Sequence, residues 1–441
     1  MTVTSQAPDQ PSGLRRVAAA WRSGPLGVPG FRLLTVGQFT SNIGDYCYAI
    51  ALPWLVLSGH GSAATLGVVL ACYGIPRAVL TVPGGSLADR LSPRLVMLAA
   101  DFARCALTVV FAVLAAMHES SLAALAPVAV LLGACSALFM PASMAMMPSL
   151  VDPAKLTSAN SIFASFNQAG SILGPTIGGV LVATTGPATA FAVDAGSYLV
   201  SAVSLVLISP GTGATAATAA EATEATAEPA ATDDAAVLAE PVPDSIWGLL
   251  RQSRLLQVLL VVVLSANFAL SGTTEVALPA LAHARFGADG YGAVLTCLAV
   301  AALAGALLVG KFGDRFRPIT LVVGSLLAAA VAIAAAPFLG GLPGVAAGLA
   351  VFGLASGFDN VVSITLIQRW APPAMLGRVW GLMTLASVGS FPVATFVAGL
   401  LARHLGPTPI FPISGALLAL SMLFGPSQRE FRDFGAGSHG D

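Results

Sequence analysis

Gly85-Ser86-Leu87-Ala88-Asp89-Arg90 ends one apolar stretch of this chain, and Gly310-Lys311-Phe312-Gly313-Asp314-Arg315 ends another, 225 residues later. Leu66-Gly67 and Tyr291-Gly292 keep the same offset, and Ala51-Leu52-Pro53 recurs as Ala277-Leu278-Pro279 at 226. Further on, Asp152-Pro153-Ala154-Lys155-Leu156 is echoed by Pro372-Pro373-Ala374-Met375-Leu376 at 220. The chain therefore reads as a duplication whose units run in the same direction.

Each unit is built for lipid. Of 441 residues, 56% are hydrophobic and 9% charged, against about 25% charged in a soluble domain. A bilayer-spanning helix needs about 20 mainly apolar residues. That ruler marks spans near 33–57, 64–88, 95–117, 122–147, 156–184 and 188–208, then 255–281, 292–311, 319–338, 345–367, 375–401 and 410–424. The expected fold is an all-α membrane protein of twelve helices in two parallel six-helix repeats, which places a substrate site between the halves near the midplane. The expected organisation is an N-terminal segment 1–32, a bundle 33–208, a linker 209–250, a second bundle 251–425 and a tail 426–441.

Between Gly211 and Asp244 lie seven acidic residues, no basic one and no aromatic one; such composition predicts disorder. Of the twenty Lys and Arg, only Arg285 and Arg403 fall on one side of the expected topology, and Arg77 and Arg104 lie within spans. The remainder cluster on the other side, which the positive-inside rule makes cytoplasmic, with both termini. Residues 1–32 are polar and Gly/Pro-rich, so no cleavable leader is expected.

Several functions are disfavoured. A net charge of −1 leaves no basic excess for nucleic acid. The five cysteines are scattered and unpaired in sequence, and His60, His118, His283 and His404 lie apart on expected external loops, so neither a metal site nor a cofactor is expected. Gly305-xxxx-Gly310-Lys311 approaches a phosphate-binding loop, but Phe312 stands where a hydroxyl would hold magnesium, and no strand precedes it. No nucleophile–base set suggests an enzyme.

Charge inside a membrane is costly and marks function. Asp45 lies about 18 Å into the first span by helix rise, and Asp359 with Asn360 lies similarly deep in the tenth. These, with Arg77, are candidates for proton coupling or substrate contact. Asp101 and Arg104, three residues apart on one helical face, suit a structural ion pair. Asp194 and Glu275 are expected near outer ends, within reach of water.

The duplicated loop resembles the signature of the major facilitator superfamily, approximately GxLaDRxGRK. Here Gly85, Asp89, Arg90 and Arg94 stand, while Ser92-Pro93 replaces Gly-Arg; Gly310, Asp314 and Arg315 repeat the core. The resemblance spans 31–424 and implies a cytoplasmic gate. Asp89 would face the helix-eleven N-terminus and Asp314 that of helix five, as anions favour helix N-termini. Gly170-xxx-Gly174-Pro175-xx-Gly178-Gly179 resembles the superfamily's antiporter helix, with Ser161 replacing an upstream glycine; the same spacing also serves helix packing. Ser41-Asn42-Ile43-Gly44-Asp45, Asp101-xx-Arg104 and Asp194-Ala195-Gly196-Ser197 resemble the macrolide-efflux and enterobactin-exporter branch.

That likeness implies a proton-coupled exporter of a small apolar or amphipathic molecule, such as a drug, antibiotic or siderophore, and a pseudo-symmetric monomer suffices for its mechanism. It would act in the cell membrane, with helices one, four, seven and ten lining the cavity. An importer, a uniporter and a membrane ligand sensor are the alternatives.

Overall fold

The structure, a computed structural model, describes residues 24–59, 61–208, 250, 254–312, 318–370 and 373–427. The acidic segment 211–244 and both chain ends lie outside them. Twelve helices follow in order. The first six are α1 (Pro29–Ser58), α2 (Ala63–Arg90), α3 (Pro93–Ala116), α4 (Leu122–Leu150), α5 (Leu156–Thr185) and α6 (Pro187–Leu207). Next come α7, continuous through Arg254–Gly272, a π turn at Thr273–Ala277 and Leu278–Arg285, then α8 (Gly287–Phe312) and α9 (Pro318–Ala335). The last are α10 (Gly341–Trp370), α11 (Pro373–Leu405) and α12 (Ile410–Ser427).

Local chemistry sets these boundaries. Pro29, Pro93 and Pro187 open their helices, where a missing N–H is not needed. Ser92 and Ser121 cap α3 and α4 by accepting from Leu95 N and Ala124 N at 3.3 and 3.4 Å. Gly186, at φ +86°, makes the turn from α5 into α6 in a conformation that favours glycine.

Nine of the described helical stretches are long and apolar enough to cross a membrane. In α12 the apolar stretch Ile410–Leu423 is shorter. Polar residues dilute α5, among them the exposed Thr157, Asn160, Ser161 and Ser165.

Each half packs in the same way. In the first, α1 lies on α5 and α6, and α4 on α2 and α3; in the second, α7 lies on α11 and α12, and α10 on α8 and α9. The halves meet chiefly through α2 against α11 and α5 against α8.

The apolar core is distributed unequally along the bundle. At the end away from the termini, here the distal end, one buried cluster includes Leu52, Leu66, Phe111 and Phe191 of the first half and Leu281, Tyr291, Ile333 and Phe411 of the second. At the end carrying the termini there are two clusters. One contains Phe31, Met97, Met146 and Leu205; the other contains Leu256, Val322, Leu366 and Met422. Among the described residues, the halves share a core distally and have separate cores at the terminal end, the arrangement of a cleft that opens toward the termini.

Glycines seal the distal end. A Cβ on Gly399 (α11) would lie 3.0 Å from Gly67 Cα (α2), and one on Gly179 (α5) would lie 3.1 Å from Gly292 Cα (α8). Gly67 and Gly292 are 225 residues apart and Gly179 and Gly399 are 220 apart, so the duplication built both seams.

Candidate functional site

Asp45 sits midway along α1, about 20 Å from Ser58 by helix rise, yet its side chain is exposed. Its Oδ1 accepts from Tyr198 Oη of α6 at 2.6 Å. Behind Tyr198 the polar chain continues into the first half. Arg104 lies over the rings of Tyr198 and Phe139, 4.4 and 3.8 Å from their centroids. It pairs with Asp101, whose Oδ2 accepts from Ser201 Oγ at 2.7 Å. Asp101 and Arg104 are 0% and 4% exposed, which makes this pair part of the core. Arg104 and, more weakly, Arg77 of α2 attract Asp45 at a distance, and the Arg77 guanidinium lies 5.7 Å from the Tyr73 ring centroid.

The second half builds the same bundle without these charges. By the repeat offsets, Asp101, Arg104 and Tyr198 correspond to Leu326, Ala329 and Leu418, at 3%, 0% and 0% exposure. Among the described residues, this half thus closes without a buried ion pair. Since buried ion pairs are poor stabilisers relative to apolar packing, the bundle itself does not require this network.

Two expectations change here. Asp194 does not reach water: it is 0% exposed, because α6 turns it toward Gly44 of α1, where a Cβ would come within 2.6 Å of Oδ1. His283 is exposed, but it lies in the last turn of a helix and not in a loop. α7 runs on to Arg285, and His283 Nε2 meets Ser58 Oγ of α1 at 3.2 Å while its ring lies 5.5 Å from Trp54. Trp54 also stacks on Tyr291 of α8 at 6.1 Å, adding an aromatic contact between the halves at the distal end.

In the second half, Asp359 is half-buried and accepts from Ser363 Oγ at 3.1 Å; Asn360 beside it is exposed. Asp359 lies about 17 Å from the Trp370 end of α10, closer to the open mouth than Asp45. Glu275 occupies the π turn of α7, about 15 Å from Arg285 by rise, deeper than a helix ending at 281 implied.

The loop motif is placed in part. Gly85, Asp89 and Arg90 end α2, and Gly310 lies near the end of α8. Asp314 and Arg315 fall outside the described residues. Arg94 is pinned within its own half, donating from Nε to Leu205 O at 2.9 Å and from Nη2 to Val206 O at 2.8 Å. It thereby caps α6, as cations do at helix C-termini.

The glycine helix serves two neighbours. Gly170, Gly174 and Gly178 lie against Asn42, Tyr46 and Cys47 of α1, while Pro175 and Gly179 meet Gly292 of α8 across the seam. Among the described residues no His/Cys/Asp/Glu group could hold a metal ion. An open apolar groove of about 570 Å³ between α3 and α6, lined by Cys105, Val109, Ala112, Ala188, Ala192 and Leu199 among others, holds none of these polar groups.

Two repeated six-helix bundles with acids set deep in apolar helices are the architecture of a membrane transporter, not an enzyme. The chain matches the Major Facilitator Superfamily model over residues 34–290 and 276–432 and belongs to that superfamily. It is 28% identical over 422 residues to the multidrug efflux pump Tap of Mycolicibacterium fortuitum, covering 93% of this chain and 97% of that protein. It is 27% identical over 404 residues to the enterobactin exporter EntS of Escherichia coli, covering 90% and 91%. Among solved structures, a bacterial homologue of the iron transporter ferroportin in an inward-facing state superposes with a TM-score of 0.68 at 16% identity, over 90% of this chain and 99% of that one. That likeness concerns the fold.

Proposed function

We propose that this chain is a proton-coupled exporter that moves a small apolar or amphipathic molecule out of the cell by alternating access. It acts as a monomer in the cell membrane, with both termini cytoplasmic. The distal core shared by both halves, above two separate terminal cores, carries this reading: it is the geometry of a transporter sealed outside and open inside. The bundles 33–208 and 251–425 rock as bodies joined by 209–250. The loops bearing Gly85, Asp89, Arg90, Gly310, Asp314 and Arg315 close the inner side in the opposite state. Efflux as the direction is supported by the functions named for Tap and EntS.

Asp45 is the proton carrier in this reading. Its side chain is exposed and within Coulombic reach of Arg77. If rocking changes its hydration or that separation, its proton affinity differs between states, and linkage makes proton and substrate binding influence each other. Asp359 and Asn360 on α10 supply polar contacts for the substrate. The test is transport of candidate compounds by proteoliposomes under an imposed pH gradient. Gradient-driven accumulation supports the reading; exchange indifferent to the gradient would make the chain a uniporter.

A further inference from the structure

Between equivalent points of α1 and α7 the two halves differ by one residue. Ser41-Asn42 and Ala266-Asn267 are 225 residues apart, but Ala51-Leu52-Pro53 and Ala277-Leu278-Pro279 are 226 apart. The first landmarks also correspond in space: Asn42 lies against Gly170 of α5, and Asn267 Oδ1 accepts from Ser387 Oγ of α11 at 2.8 Å. α7 therefore contains one residue more than α1 between equivalent points. It houses that residue as the π turn Thr273–Ala277, where α1 is α-helical throughout. π turns re-aim side chains and recur at functional sites. Tyr291 Oη, from a side chain 1% exposed, donates to Thr274 O at 3.1 Å and supports the turn from α8. The side chain at its centre is Glu275.

Glu275 is half-buried and makes no hydrogen bond or ion pair with any described residue. α2 of the other half packs on this turn, and its Arg77 is the cation within Coulombic reach of Glu275. Arg77 also feels Asp45 and makes ion-pair contact with neither acid. The other titratable groups near Glu275 are Tyr46 of α1 and Tyr291 of α8. α11 and α12 also pack on the turn, and among the described residues neither brings a charged side chain to it. Arg77 thus has one acid of each half within reach, although Arg104 acts more strongly on Asp45, and Glu275 lies about 7 Å nearer the distal end than the repeat equivalent of Asp45 by helix rise.

We propose that Glu275 is a second proton-binding site of the transport cycle, with Arg77 as a counter-charge shared with Asp45 across the seam between the halves. Ionised, Glu275 draws Arg77 toward α7 and holds the distal seam shut. A proton taken from water onto its carboxylate removes that pull, leaves Arg77 to Asp45 and lets the seam open; the proton returns to water when the carboxyl ionises. A shared partner that can change sides is the kind of two-state element that local charge biases. The inference extends the proton-coupled reading above, but its test does not depend on export.

The experiment uses the full chain in proteoliposomes, with the five native cysteines replaced by alanine. Spin labels are placed at Met117→Cys and Leu339→Cys, exposed positions at the distal ends of the two halves. In this background the inter-label distance distribution should gain a long component in acid, and Glu275→Gln should show that component at every pH. Its share in neutral buffer should rise roughly tenfold, within the usual range of coupling between sites. Removing Thr274 to restore a regular helix should act like Glu275→Gln, Glu275→Asp should keep the titration, and Asp45→Asn should keep the Glu275-dependent step. A Glu275→Gln protein, monodisperse in detergent, whose distances still shift with pH as the parent's do would overturn the proposal. Gradient-indifferent transport with an intact Glu275-dependent shift would sink proton-coupled export and leave this site standing.

Discussion

Tyr198 donates its phenol hydrogen to Asp45 Oδ1 at 2.6 Å, joining residues 153 positions apart on α6 and α1. Its ring meanwhile lies against the Arg104 guanidinium. Tyr198→Phe keeps that stacking and removes only the hydrogen bond. A hydrogen bond to a charged group is worth about 1.5–3 kcal/mol, so gradient-driven transport should fall roughly tenfold while thermal stability in detergent changes little. Unchanged transport would show that the phenol does not tune Asp45.

Asp45→Asn keeps the shape and loses the titratable group. It should abolish transport driven by an imposed pH gradient, while equilibrium substrate binding stays measurable and becomes largely insensitive to pH. Normal gradient-driven transport by this variant would remove Asp45 as carrier and bring Asp359 forward.

The Asp101–Arg104 pair allows its structural and functional roles to be separated. Arg104→Ala alone strands a buried carboxylate and should cost about 3–5 kcal/mol, visible as a large drop in melting temperature. Asp101→Leu with Arg104→Ala installs the residues found at the equivalent places in the second half, Leu326 and Ala329. The double variant should regain most of the stability and remain inactive. An active double variant would assign the pair to folding alone.

The glycine seams predict a conformational trap. Gly67→Leu and Gly292→Leu, made together, place side chains where Gly399 Cα and Gly179 Cα now stand. The distal end should then fail to close. Native Cys47, 0% exposed in the shared core, should react with a membrane-impermeant maleimide from outside, read by peptide mass spectrometry. Persistent protection of Cys47 in the folded variant would contradict the seam as the distal gate.

Sidedness has a direct check. Reporter fusions after Arg254 and after His118 should report opposite sides, with Arg254 cytoplasmic by the positive-inside rule. The same side for both would undo the orientation.

The helices were legible because lipid imposes one rule on every span, and their observed ends fall within a few residues of the hydropathy reading. The Asp101–Arg104 pair was legible too, since helical spacing alone puts both side chains on one face. Tyr198 was not: nothing local links positions 198 and 45, and only the packing of α6 on α1 brings them together. Asp194 looked wet because depth along a helix was visible and the face it turned was not. Glu275 looked peripheral because α7 continues past the expected end to Arg285. Its signal was present as a one-residue slip in the repeat register, which becomes meaningful beside the π turn.

The unequal distribution of the core bears on how the molecule is put together. Leu52 and Leu66 at the distal end belong to one continuous buried cluster with Leu281 and Tyr291 of the other half. Synthesised by itself, either half would present that surface unmatched, whereas its terminal-end cluster would already be complete. Two polypeptides divided between α6 and α7 should therefore find each other in the same membrane and rebuild a working transporter, with shared apolar surface doing what the covalent connection does in the intact chain.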